Sequence, residues 1–196
     1  MTFRIPEVGH QLPRRGNRFS AFVGRAALRL AGWRFAGDVP DLPKVVFIVA
    51  PHTSNWDFIV GVAGMFALGL RITFLGKASL FRWPLGPVMR WLGGFPVDRS
   101  AAHNVVDQTV DLVRRSRHIA LGLAPEGTRR KRARWRTGFH YVAAGAGVPI
   151  VPVALDYGTR TIRFFGAHTP GPTPEADLAV LGRLFDARMA RHPSQY

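Results

Sequence analysis

"KVVFIVAPHTSNWDFIVG", residues 44–61, holds the two patterns that decide the fold. From Val45 to Ala50 it is an unbroken apolar run with the length and β-branched content of a strand buried on both faces, and Pro51 follows it. Ser54 and Asn55 then lead into residues 55–70, an apolar segment of helical length. An apolar strand that passes through a short polar loop into a helix is the building unit of α/β folds with mostly parallel sheets.

The alternation continues outward. On the N-terminal side the turn "GDVPDLPK" follows a helix expected over residues 17–35, and residues 1–16 read as a loose leader with Pro6, Pro13 and Gly16. At about 100° per residue, Phe19, Phe22, Val23, Ala26, Ala27, Leu30 and Trp33 share one side of this helix, with Arg14, Arg18, Arg25 and Arg29 on a flank. Two readings stay open: an apolar face packed on the core, or an interfacial helix with aromatics at the acyl boundary of a bilayer and Arg towards its phosphates. On the C-terminal side "ITFLG", "FPVD", "IALGLA", "PIVPVAL" and "TIRFFG" read as strands. Helices are expected at residues 81–94, 100–117, 137–147 and 175–191. The chain therefore reads as a single α/β domain with a mostly parallel or mixed sheet flanked by helices, plus an N-terminal amphipathic helix.

Composition narrows the partners. Against 12 Asp and Glu stand 27 Lys and Arg, a formal charge of +15 that favours anionic partners: nucleic acid, anionic headgroups or phosphorylated substrates. Cys is absent, which excludes disulfides, thiolate metal sites and Cys nucleophiles and fits a cytosolic setting. The N-terminus carries no signal-peptide run, and the longest uncharged apolar stretch, residues 58–70, is short of the roughly 20 residues that span a bilayer.

His52 and Asp57 stand five positions apart in the loop that leads into the second helix. An imidazole oriented by a carboxylate is a natural general base. Ser54-Asn55-Trp56-Asp57 also fits a capping box, in which Asp57 closes the helix N-terminus, and both roles can coexist. "FPVDRS", residues 95–100, places Asp98 and Arg99 after a strand; "APEGTR", residues 124–129, gathers a carboxylate, a Gly, a hydroxyl and an Arg at another strand end.

In this order the stretches resemble the 1-acylglycerol-3-phosphate acyltransferase family. Its H-x-x-x-x-D motif stands as His52 to Asp57, its second motif as "FPVDR", its third as "PEGTR" and its Pro-containing apolar strand as "VPIVPV", residues 148–153. The resemblance runs over residues 33–157. It implies transfer of a fatty acyl group from an acyl thioester, acyl-CoA or an acyl-carrier protein, to the free hydroxyl of 1-acylglycerol-3-phosphate or a related lyso-lipid. His52 would be the base and Asp57 its orienting partner. Arg99 would clamp the acceptor phosphate, with Glu126, Gly127, Thr128 and Arg129 completing that pocket and Lys77 a lesser contact. With no G-x-S-x-G elbow and no Cys, the acceptor hydroxyl itself should be the nucleophile, without an acyl-enzyme.

The remaining histidines show no ligand spacing and no nucleotide loop appears, so neither a metal nor a cofactor is expected beyond the acyl donor. Residues 1–35 read as leader and membrane-interface helix, and residues 36–196 as the acyltransferase domain. The Arg-rich loop 129–136 and the N-terminal helix would together meet an anionic membrane surface on its cytoplasmic face, peripherally and without a transmembrane helix. Two rivals remain. A nucleic-acid-binding protein would use "RRKRARWR", although no such fold signature accompanies it and no nucleic acid is expected. An esterase or thioesterase would turn His52 on water, but has no need of phosphate-type Arg motifs.

Overall fold

The computed structural model describes residues 4–97, 102–127 and 135–196. Its strands are β1 (Arg34–Ala36), β2 (Lys44–Ala50), β3 (Ile72–Lys77), β4 (Gly94–Val97), β5 (Ile119–Leu123), β6 (Ile150–Asp156) and β7 (Thr161–Phe164). Its α-helices are α1 (Arg18–Leu30), α2 (Trp56–Leu68), α3 (Leu85–Trp91), α4 (Ala102–Arg115), α5 (Gly138–Ala146) and α6 (Pro174–Leu181). The sheet order is β1-β7-β6-β2-β5-β3-β4, and every neighbouring pair is parallel except β6 with β7. This is the mixed α/β sheet that the sequence pattern implies.

β2 lies at the centre because its side chains suit neither face to water. Val45 and Phe47 point into a cluster with Leu28, Val60, Ala67 and Leu68 of α1 and α2. Val46, Ile48 and Ala50 point the other way, onto Val113, Phe139, Val142 and Leu181 of α4, α5 and α6. The period-two alternation of one apolar strand thus serves two cores, one on each face.

α1 is shorter than the helix expected over residues 17–35. Asn17 caps it, exchanging hydrogen bonds of 2.9 Å with Ser20 in a capping box. Gly32, at φ +73°, ends it. The N–H of Trp33 then donates to the Leu28 carbonyl at 2.8 Å, closing a Schellman turn that sends Trp33 into the core and Arg34 into β1. Likewise the helix expected over residues 175–191 stops at Leu181 and gives way to 3-10 turns at Gly182–Leu184 and Ala187–Met189.

The face by which α1 packs is the opposite of its apolar stripe. Gly24 and Leu28 meet α2, and a Cβ built on Gly24 would lie 2.5 Å from the Ala67 nitrogen, so only glycine allows this approach. Burial of a Leu such as Leu28 stabilises by roughly 1.5–3 kcal/mol. Phe19, Phe22, Val23 and Leu30 instead face outward, Leu30 at 89% exposure. The reading in which these aromatics pack on the core is therefore corrected: helix-to-helix contact through small residues has displaced it. Trp83, Leu85, Val88 and Trp91, on and just before α3, are exposed too, and Trp91 lies 5.7 Å from Phe66 of α2. Among the described residues no helix is long and apolar enough to cross a membrane.

Candidate active site

Three adjacent parallel strands, β5, β2 and β6, end side by side. The loops beyond their carboxyl ends carry Glu126, His52 and Tyr157 respectively. The carboxyl edge of an open α/β sheet is where such folds bind ligands, because helix N-termini and loops converge there. α2 starts from this edge and brings Asp57, in its first turn, back against the loop.

His52 Nδ1 lies 3.2 Å from Asp57 Oδ2. That same oxygen accepts the Ser54 N–H at 2.8 Å, while the Trp56 N–H donates to Ser54 Oγ at 3.2 Å. Asp57 therefore reaches back as the acidic member of a helix cap and faces the imidazole at once. Its other oxygen, Oδ1, accepts the Tyr157 hydroxyl at 2.8 Å. Burial alone would raise the Asp57 pKa, but the hydrogen bonds from His52, the Ser54 N–H and Tyr157 outweigh it and hold the carboxyl below its ordinary value. With Nδ1 turned to Asp57, Nε2 is the nitrogen left for a substrate; the ring is one-fifth exposed, its partner carboxylate almost fully covered.

Glu126 places both oxygens on the backbone N–H of His52, at 2.9 and 3.0 Å. It is buried, and that burial, with the Asp57 charge nearby, pushes its pKa up; the His52 N–H offsets part of the shift. Its neighbour Gly127, at φ +65°, lies against the Arg136 side chain, which a Cβ would strike at 2.8 Å. The structure thus brings His52, Asp57 and Glu126 together, with Gly127 adjoining. Lys77 stands exposed at the end of β3 on the same edge, two strands from β2. Arg99, Thr128 and Arg129, and most of the Arg-rich loop 129–136, lie outside the described residues.

The sequence did not single out Tyr157 or the segment that covers it. The Tyr157 N–H donates to the Met189 carbonyl at 2.8 Å, the His192 N–H donates to Thr53 Oγ1 at 3.2 Å, and the Arg191 guanidinium lies 5.2 Å from the Trp56 ring and 5.7 Å from that of Tyr157. The one available signal was position: Tyr157 is the first residue beyond β6.

An apolar cavity of about 130 Å³ opens between α4, α5 and the sheet, lined by Leu75, Val105, Leu123, Phe139 and Val142, with Ala124 and Pro125 linking it to Glu126. Among the described residues no group of three or more His, Asp or Glu is placed to hold a metal ion.

The family model described as Acyltransferase matches residues 38–156. The 1-acyl-sn-glycerol-3-phosphate acyltransferase of Escherichia coli (strain K12) is 31% identical over 156 residues, covering 74% of this chain and 62% of that protein. The enzyme of the same name from Salmonella typhimurium is 32% identical over 171 residues, covering 81% and 67%. The chain thus spans a little under two thirds of the E. coli relative and about two thirds of the Salmonella one. Among solved structures, the 1-acyl-sn-glycerophosphate (LPA) acyltransferase PlsC from Thermotoga maritima superposes with a TM-score of 0.59 over 85% of this chain and 76% of that one. At 15% identity that likeness is one of fold.

Proposed function

This chain belongs to the Acyltransferase family, and from that premise we propose that it moves a fatty acyl group from an acyl thioester to the free hydroxyl of 1-acylglycerol-3-phosphate or a related lyso-lipid. The observation that carries the reading is the His52–Asp57 pair, 3.2 Å apart at the carboxyl edge of the sheet. Nε2 of His52 takes the proton of the acceptor hydroxyl as that oxygen attacks the thioester carbonyl. The new C–O bond forms, the C–S bond breaks, and the imidazolium returns the proton to the departing thiolate. Asp57 holds the tautomer and stabilises the imidazolium. General-base assistance of this kind contributes typically about 10²- to 10⁴-fold.

Arg99 and Arg129, with Lys77, Gly127 and Thr128, are assigned to the acceptor phosphate, for which the Arg donor fork is suited. Glu126 belongs to this pocket as the group that fixes the His52 loop. The apolar cavity beside Pro125 is assigned to part of the acyl chain, for which its Leu, Val and Phe lining is suited. The donor is acyl-CoA or an acyl-carrier protein, and no other cofactor enters the scheme.

A lyso-lipid acceptor lies in a bilayer, and the outward stripe of α1 with the exposed residues around α3 supports peripheral docking at an anionic membrane surface. Arg18, Arg25 and Arg29 beside the stripe and the Arg-rich loop 129–136 supply the charge.

Lipid mass spectrometry tests the reading, with a long-chain acyl-CoA and 1-acylglycerol-3-phosphate as substrates. Wild type should form phosphatidic acid, His52→Ala should lose at least 10²-fold in kcat, and Arg99→Ala should act mainly on the acceptor KM. Release of free fatty acid without phosphatidic acid would make the protein a hydrolase using the same dyad.

A further inference from the structure

Asp57 is held at both oxygens. Ser54 N–H and His52 share Oδ2, and the Tyr157 hydroxyl takes Oδ1 at 2.8 Å. Without that hydroxyl Oδ1 would be left unpaired on a side chain 1% exposed, and the carboxyl plane would lose the donor that sets its rotation about χ2. Tyr157 is itself fixed from three sides. Its ring meets Trp33 edge-on at 4.9 Å, its N–H is bound by the Met189 carbonyl, and the Arg191 guanidinium lies 5.7 Å from its ring centre. Arg191 also covers Trp56, the residue beside Asp57, and the next residue, His192, donates its N–H to Thr53 beside His52.

We propose that Tyr157 and Arg191 are positioning residues for the reaction: Arg191 clamps Tyr157, and Tyr157 holds Asp57 in the plane that orients His52. This rests on the reading of His52 and Asp57 as the acting pair. Both residues lie beyond the span 38–156 that matches the family model, so the family motifs do not assign them. The inference makes Arg191, carried by the C-terminal segment that covers Tyr157, part of what sets turnover.

Tyr157→Phe removes only the hydroxyl and keeps the ring on Trp33. Loss of a hydrogen bond to a charged group is expected to lower kcat about 10- to 100-fold, with the acceptor KM changed by less than about threefold, because no contact to substrate is lost.

The experiment measures kcat and acceptor KM for wild type, His52→Ala, Tyr157→Phe, Arg191→Ala, Arg191→Lys and Arg188→Ala, with thermal unfolding of each. Arg188, exposed and paired with Asp186, is the control and should match wild type. Lower kcat with unchanged KM in Tyr157→Phe and Arg191→Ala, partly restored in Arg191→Lys, carries the proposal. If Tyr157→Phe fails to fold, the Arg191 pair decides it by the same split. A Tyr157→Phe kcat within twofold of wild type, or a change in KM alone, overturns it. Full activity in His52→Ala would instead overturn the reading of the pair on which it stands.

Discussion

Asp57 closes the first turn of α2 through the Ser54 N–H and faces His52 through the same oxygen, so under the proposed mechanism its removal should act on folding and chemistry together. Asp57→Ala should lower the urea midpoint without changing the slope, by the roughly 0.5–2 kcal/mol that a helix cap contributes. The same protein should lose about 10²- to 10⁴-fold in kcat, measured in the phosphatidic acid assay. A loss of activity with no shift in midpoint would mean that the cap contributes nothing here. The five-residue spacing of His52 and Asp57 was legible in the sequence because a loop and one helical turn bring them together locally. Tyr157 was not, since its 2.8 Å bond to Asp57 crosses 100 positions and exists only because β6 pairs with β2. Arg191 was still less visible: it arrives through 3-10 turns that have no periodicity to read.

α1 carries two faces with separable consequences. Gly24→Leu forces a side chain against the α2 backbone and should lower Tm markedly, overpacking of this kind costing about 1–3 kcal/mol. Phe22→Ser with Leu30→Ser changes only exposed positions and should leave stability within about 0.5 kcal/mol per site. It should, however, reduce cosedimentation with vesicles containing anionic phosphatidylglycerol, and added salt should weaken what binding remains. Unchanged vesicle retention in that variant would remove α1 from the docking surface. Strand and helix order was readable because β2 and its neighbours are apolar and sharply bounded. The direction in which α1 turns its stripe was not, because a helical wheel shows that a face is apolar, not what covers it. Here the sequence signal was Gly24 among larger residues. The overlong expected helix also had a marker, Gly32, whose left-handed backbone stops the helix before Trp33.

Away from the sheet edge a second buried carboxylate ties the fold together. Asp177, fully buried at the start of α6, accepts from His140 Nδ1 of α5 at 2.6 Å, from His168 Nε2 at 2.7 Å and from the Gly171 N–H at 2.8 Å. Burial would raise its pKa, but these bonds outweigh that and hold it below the ordinary value. Because the folded pKa is the lower one, the stability this adds is complete above the unfolded value of about 3.9 and is lost as pH falls through it towards the folded one. Asp177→Asn should therefore flatten the acid limb of unfolding free energy below about pH 5. At pH 7 it should cost about 1.5–3 kcal/mol in urea titrations, the range for weakening a hydrogen bond to a charged group. An acid limb unchanged from wild type would place the titration elsewhere. The sheet order has a bearing on synthesis as well. β2 emerges from the ribosome early, yet its two neighbours begin at Ile119 and Ile150, and β1 waits for Thr161. Until β5 emerges the chain carries this apolar strand with both edges bare, and until β6 emerges with one, a template for pairing with other nascent copies. Its yield in the cell should accordingly depend on chaperone occupancy until β6 has emerged, and the His52 loop can take its working shape only after that point.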